Sequence, residues 1–551
     1  MKRLPERPQL DHLKKQAKDL LAGYQQGDPV AFARLRACLP AAAGKDDQAM
    51  TELGLRLHDA QSCLAREYAF PSWTELKHFV LARNAQAVDR NETIRNWLSL
   101  VYAGHISGGM HQASPAAAAR MLAENPSLPA DDPYLACAIG ELATLQKTHS
   151  QDPRWIHRPG GPLQLPPLVA ICHSSLLRLP EFAERLRACA SFLLAAGIDP
   201  NQSVANRWGQ DWPDQASTAE PLSALYGAAG QHHDPLLTQL LLDAGANPND
   251  GESLYHSLEN PACTRLLLSA GARVTGSNAL YRVLDMDNLE ALQLLLAAGG
   301  NANEPAGSKP TSDWGTPLLW AIRRRRSAAH VQALLAAGAN PAVRTPDGIS
   351  AYVLALRFGL MDVATLLRQT ESGASLSMSE RFVAACAAND AATARQLLAK
   401  QPDLLQTLSD TQQRLLPELA AQACNDAVKL MIQLGWPITV RGGDWDASAL
   451  NHAVFRGDTE LTRFLLEHGA SWQEQQGFGD NACGTLAWAS TNLPEGAGDW
   501  LGCAAILRAH GMPAAAAASP SGKDGVTVAG SPYWFSDEVT DFLLGPADET
   551  S

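Results

Sequence analysis

Six times the chain closes an apolar run with Leu-Leu-x-x-Gly: Leu193–Gly197, Leu241–Gly245, Leu267–Gly271, Leu295–Gly299, Leu334–Gly338 and Leu465–Gly469. Looser copies end at Gly373, Gln401, Gly435 and Gly511. A helix terminus recurring at a period of about 33 residues specifies an array of small helical units rather than one closed core. Glycine suits the left-handed residue that stops a helix and satisfies its last carbonyls. The Asn and Pro residues that follow (Ala-Asn-Pro-Asn after Gly245, Asn-Ala-Asn after Gly299, Ala-Asn-Pro after Gly338) suit tight turns. Thr316-Pro317 then reads as the cap and first position of the next helix. Two short helices and a turn cannot bury their own apolar face, so neighbouring units must stack.

These units resemble ankyrin repeats. The pattern Asp-x-x-Gly-x-Thr-Pro-Leu-His-x-Ala is carried by Asp347–Gly359, Ser448–Asp458 and Thr316-Pro317-Leu318. The resemblance covers about residues 160–512, with weaker copies from about residue 95. It implies an all-α, irregular ankyrin-repeat solenoid. The units ending at Gly271 and Gly299 are only 26 and 28 residues long, so their fingers are expected to be clipped. Those ending at Gly245 and Gly511 span 48 and 42, with insertions around Trp208–Thr218 and Gly477–Asp499. Leu319, Val353 and Asn451 replace the usual His, so its side-chain hydrogen bonds are expected to be missing.

Residues 1–90 form a separate helical cap unit, 91–512 the array (irregular before 165), and 513–551 a linker with a capping helix. In the cap unit, Leu10 to Tyr24 makes one apolar stripe and Asp28-Pro29 opens a second helix. A third runs through Leu53, Leu57, Ala60, Leu64 and Tyr68, and Ser72–Glu75 is a capping box for a fourth. Leu10–Leu21 and Ala65–Trp73 resemble a leader found before ankyrin arrays in bacterial proteins, which implies a bacterial origin and no known chemistry. Ala514–Gly525 reads as a flexible linker, and Ser536 caps a last helix with Val539, Phe542 and Leu543 on its apolar face.

Composition narrows the function. Net charge is −13: residues 1–90 hold 14 Lys/Arg against 11 Asp/Glu, and the remainder 30 against 46. An acidic body argues against general nucleic-acid binding, which needs cationic surface. Ten scattered cysteines without a Cys-x-x-Cys pair read as reduced thiols of a cytoplasmic protein, not as disulfides or a zinc site. No secretory signal or membrane span is expected. No phosphate-binding glycine loop occurs, and Gly104–Gly108 has the wrong spacing for a nucleophile elbow. His232-His233 reads as a solvated turn, and His452 as a hydrogen-bonded core histidine. No catalytic residue, cofactor or metal is expected.

The expected function is a non-catalytic, monomeric scaffold that binds an unknown protein on the concave face. The two positions after the first helix's Ala give Arg323-Arg324, Arg357-Phe358 and Phe455-Arg456, residue types that dominate binding hot spots. They form either a recognition stripe for an acidic patch or a soluble face with Phe358 and Phe455 packed on the next unit. The turn Arg323–Arg326 carries one extra residue. Trp314 and Trp445 fall at finger tips, as binding anchors or as packing between fingers, whereas Trp320 and Trp488 are expected in the core. The alternative is a bacterial effector or enzyme with a site in segment 95–180, where His105, His111, His149, His157 and Cys172 are dense. A third reading is self-association through uncapped array ends.

Overall fold

The computed structural model describes residues 2–85, 90–129, 132–209, 217–305, 315–368, 376–493, 498–517 and 525–545. The chain divides into two compact units, Met1–Ala279 and Leu280–Ser551. Trp314 and Gly373 lie outside the described residues.

The first unit opens with helices Leu10–Gln25, Pro29–Cys38, Leu57–Glu67 and Trp73–Asn84. Leu13, Ala17, Leu20, Phe32, Leu35 and Leu64 bury the faces that the apolar stripes mark out. Asp28 accepts a hydrogen bond from the Val30 N–H and caps the second helix (2.9 Å). The short helix Asp47–Thr51 is invisible in the periodicity; the Tyr24 hydroxyl holds it by donating to the Met50 carbonyl (2.7 Å). Leu53 precedes the third helix instead of lying in it.

The expected capping box is only half closed. Ser72 accepts from the Glu75 N–H, but the Glu75 carboxylate reaches across to helix Pro115–Glu124 and accepts the Ala116 and Ala117 N–H groups (3.3 and 2.8 Å). Ser114, the local candidate for that cap, pairs instead with His78 Nδ1 (2.6 Å). A carboxylate from helix Trp73–Asn84 thus satisfies orphan donors at the start of helix Pro115–Glu124, where the helix dipole also favours negative charge.

Helix pairs follow: Pro133–Ile139 with Leu142–Gln151, Pro167–Cys172 with Pro180–Ala195, and Ser253–Ser257 with Pro261–Ser269. The insertion before Gly245 begins as an antiparallel strand pair, Ser203–Asn206 with Ser217–Ser223. It leads into a π-turn, Gly227–Gln231. The second unit repeats the pairing, from Pro317–Arg323 with Ala328–Ala336 to Ala482–Asn492 with Trp500–Ala509. First helices pack on first helices and second on second, for example Pro317–Arg323 on Ala351–Arg357 and Asn425–Gln433 on Thr459–Glu467. Helix Asp537–Leu544 then packs on Trp500–Ala509. Ser536 caps it, and Val539 and Leu543 are buried. Its approach departs from a plain linker: Ala516–Ala517, Val526–Val528 and Ser531–Tyr533 form a three-stranded antiparallel sheet.

The Leu-Leu-x-x-Gly signature has a physical basis in every full copy. Its first leucine is fully buried (Leu193, Leu241, Leu267, Leu295, Leu334 and Leu465). The glycine is left-handed, with φ between 85° and 98°. The Gly245 N–H donates to the Leu242 carbonyl and the Ala246 N–H to the Leu241 carbonyl (both 3.0 Å), and the same pair recurs at Gly338 and Gly469. This double closure satisfies the last carbonyls of the helix. The asparagines that follow do more than turn the chain. Asn303 Nδ2 donates to the Gly338 carbonyl (2.8 Å) and its Oδ1 accepts the Asn340 N–H (2.7 Å); Asn201 and Asn249 clamp the following units in the same way. The turn motif of one unit therefore also holds the helix end of the next.

Asn451 overturns the expectation that replacing His removes its hydrogen bonds. Its amide donates to the Glu474 carbonyl (3.0 Å) and accepts from the Thr485 hydroxyl (2.7 Å), tying one repeat to its neighbour.

Candidate partner-binding face

The face is organised by helix register in the second unit. Counted from their N-caps Thr316, Ser350, Ser448 and Asn481, the seventh residues are Arg323, Arg357, Phe455 and Trp488. Trp320 stands at the fourth position and is fully buried, with Nε1 donating to Asp285 (3.0 Å). Trp488 is 54 % exposed, which corrects the expectation of a core residue. The register counted from Asn481 aligns it with Phe455, not with Trp320.

Arg323 and Arg357 line one cleft of about 360 Å³, together with Pro346, Phe358, Glu418 and Asp444. Their charges are met within the chain. Arg323 is 5 % exposed and pairs with Glu418 (3.3 Å) and Asp444 (2.7 Å). Arg324 bridges Asp285 and Asp444 (both 2.7 Å) and lies over the Trp320 ring, 4.3 Å from its centroid. Arg357 is also 5 % exposed and grips Glu380 with two hydrogen bonds (2.6 and 3.0 Å). Burial opposes the Arg323 charge, but Glu418 and Asp444 outweigh it and hold the guanidinium above its ordinary value. Burial likewise acts to raise the Asp444 carboxyl, and Arg323 and Arg324 reverse this and hold it low.

A partner carboxylate that binds these arginines therefore has to displace Glu418, Asp444 or Glu380. Phe358 is 0 % exposed, so it packs the core instead of anchoring a ligand. Arg456 is tied to the Ala420 carbonyl (2.8 Å) and Asp458 (3.0 Å). The Arg323–Arg326 turn is longer by one residue, as its sequence indicates. Arg325 takes the left-handed place that Gly359 fills in the next unit and donates to the Phe358 carbonyl, and Ala328 opens the following helix one position later.

The aromatic residues form a continuous ladder. Trp445, in the finger between strands Arg441–Gly442 and Ala447–Ser448, meets His452 edge-on (4.7 Å) and Phe455 at 5.6 Å. Phe455 stacks on Trp488 at 5.5 Å with an 18° interplanar angle. Beyond it, Thr491 donates to the Trp534 carbonyl (3.0 Å), and Trp534 is itself exposed. Phe478 is exposed in the finger whose Gly477 N–H donates to the Trp445 carbonyl (3.0 Å). His452 is buried, its Nε2 is 3.2 Å from the Gly442 carbonyl, and burial pushes its pKa down to about 4.

The histidines and cysteine of segment 95–180 do not converge on one point. His111 Nε2 is 3.2 Å from both the Ser107 hydroxyl and the Tyr102 carbonyl; His149 meets Phe192 edge-on, and His157 is exposed. Cys172 is buried, and burial pushes its thiol up. His105 instead joins residues outside that set, His173 (6.0 Å) and Tyr226 (6.4 Å), beside the π-turn. His173 is held by Gln231 (2.7 Å) and the Ser223 carbonyl (2.8 Å), and burial pushes it down to about 4. Both ring nitrogens of His232 are buried, which corrects the solvated-turn reading; His233 takes the left-handed turn position.

No family model and no curated protein matches the chain. Among solved structures it is similar to the ankyrin repeat domain of human ASB11 (21 % identity, TM-score 0.21, covering 42 % of this chain and 98 % of that one). It is also similar to an ankyrin repeat domain from Acinetobacter baumannii AYE (23 %, 0.27, 37 % and 96 %) and to that of Bcl-3 (21 %, 0.18, 43 % and 87 %). The repeated helix pairs, left-handed glycine caps and finger turns define the fold itself as an all-α, irregular ankyrin-repeat array.

Proposed function

We propose that the chain is a protein-interaction scaffold whose second unit grips a protein partner along the aromatic ladder Trp445–Phe455–Trp488. The observation that carries this reading is Trp488, a large apolar ring left more than half exposed while stacked on Phe455. Exposed aromatics in a contiguous patch mark interaction surfaces, and Trp is among the residues that dominate binding hot spots. A ring already stacked on its neighbour loses little freedom on binding, which limits the entropic cost. In this reading Arg323, Arg324 and Arg357 shape the adjoining cleft through their internal ion pairs, and Arg456 braces the end of helix Ala449–Phe455. Protein recognition without catalysis, in a bacterial cytoplasm, is the setting that suits such a scaffold.

The test is capture of partners by the wild-type chain beside Trp488→Ala and Phe455→Ala, with equal folding checked by thermal melting. A partner held by wild type and weakened at least tenfold by either variant, about 1.4 kcal/mol, supports the reading. Equal capture by all three chains removes the ladder from the account.

A further inference from the structure

Helices Pro29–Cys38 and Leu57–Glu67 meet along a two-rung ladder in the first unit. Arg34 and Cys38, four residues apart on one helix, face Glu67 and Cys63, four apart on the other. In the first rung Arg34 Nε and NH2 donate to Glu67 Oε1 and Oε2 (2.7 and 2.8 Å), and Lys2 Nζ adds a third bond to Oε2 (2.7 Å). In the second rung the sulfurs of Cys38 and Cys63 lie side by side. Both sulfurs and a Glu67 oxygen fall within 4.8 Å of one another.

That spacing suits a tetrahedral metal site. Zinc–sulfur bonds of about 2.3 Å place two thiolates about 3.8 Å apart, so only a small closing movement is needed. Glu67 retains the capacity to bind: a carboxylate offers about four acceptor positions, and the three bonds from Arg34 and Lys2 leave one on Oε1. Arg34 then does what outer partners of ligating carboxylates do, fixing the group's orientation. A surface cavity of about 750 Å³, lined by Lys2, Val30, Arg34, Cys38, Arg66 and Glu67 among others, gives an ion a route in and leaves room for a fourth ligand.

Electrostatics does not oppose occupancy. A divalent ion that displaces both thiol protons leaves the net charge of the cluster unchanged, so Lys2, Arg34 and Arg66 face no added repulsion. The geometry points to a site for a thiophilic divalent cation of the zinc class, ligated by Cys38 Sγ, Cys63 Sγ and one Glu67 oxygen, with its fourth position open to the cavity. Two thiolates select a soft or borderline ion over magnesium or calcium. Both thiols must lose their protons to bind the ion, so uptake strengthens as pH rises. The site is independent of the partner-binding face.

The test uses the full chain under a metal-free phosphine reductant, titrated with Co2+ and then Zn2+. Wild type should take up one equivalent of Co2+ with thiolate-to-cobalt charge-transfer absorption, and Zn2+ should bleach it. Cys38→Ser, at a half-buried position, should abolish the absorption with its metal-free melting temperature unchanged. Glu67→Gln keeps the side-chain shape and should bind at least about tenfold more weakly. No charge-transfer band in wild type, or an equal band in Cys38→Ser, overturns the proposal. So does a Cys38–Cys63 disulfide formed in air by protein that binds no metal when reduced, which makes the two thiols a redox pair instead.

Discussion

Replacing Arg323 by Met should cost far more stability than the loss of a surface charge. Its side chain is 6 % exposed, and its removal leaves Glu418, 13 % exposed, without the partner that offsets its desolvation. Breaking a buried ion pair from one side costs about 3–5 kcal/mol. Asp444→Asn should be milder, about 1–2 kcal/mol, because the Asp444 side chain is 28 % exposed, Arg323 keeps Glu418 and Arg324 keeps Asp285. Arg441→Met, which breaks a pair whose side chains are 40 % and 51 % exposed, should cost under about 1 kcal/mol. The double variant Arg323→Met/Glu418→Leu should recover most of the loss, since apolar side chains replace both buried charges. A repeat array need not unfold as one step, so the assay is amide hydrogen exchange in peptides covering 317–336 and 415–433, which reads local opening free energies. If Arg323→Met protects those peptides as well as Arg441→Met does, the arginine network is not desolvated and the argument from its burial fails.

Other perturbations separate the remaining claims. Leu295→Ala should cost about 2–5 kcal/mol as a buried deletion, and Gly299→Ala about 1–2 kcal/mol as a non-glycine residue at φ 91°, both read by urea unfolding; the reverse order would contradict the signature's physical basis. His173 and His452 are depressed to about 4 in the folded chain, so neither affects stability above its unfolded value of about 6.5. Between about pH 6.5 and 4 the unfolded chain takes up protons that the folded one refuses, and each histidine removes up to about 3 kcal/mol as pH falls. His452→Gln should therefore flatten the acid side of the melting-temperature profile; an unchanged slope would count against a buried neutral ring. Glu75→Ala should cost about 1 kcal/mol and raise exchange at the Ala116 and Ala117 amides, whereas Ser72→Ala should leave those two amides unchanged.

What the sequence reveals here is set by the range of the interactions. Leu-Leu-x-x-Gly is legible because its leucine, its glycine and the bonds that close them lie within six residues. The second and last helices are legible for the same reason, through Asp28 and Ser536. Cross-repeat partnerships are not: nothing near Glu75 indicates that its carboxylate caps a helix some 40 residues on, and nothing near Arg323 names Glu418 or Asp444 as its counter-ions. Repeat position marks Arg323, Arg357 and Phe455 as a row, and counting from the helix N-caps puts all three at the seventh position. Trp488 shows how narrow the margin is, because its place in that row depends on counting from Asn481 and not from the tryptophan that resembles it. The Cys38–Cys63–Glu67 cluster joins two helices, so no Cys-x-x-Cys spacing announces it.

The central claim is that the second unit recognises a protein through its aromatic ladder, led by the exposed Trp488. The most direct measurement is quantitative partner capture by the wild-type chain, by Trp488→Asp and by Leu236→Asp, a control at an exposed leucine of the first unit. The account predicts a partner retained by wild type and by Leu236→Asp and lost by Trp488→Asp at equal melting temperature. A partner retained equally by all three chains would contradict it.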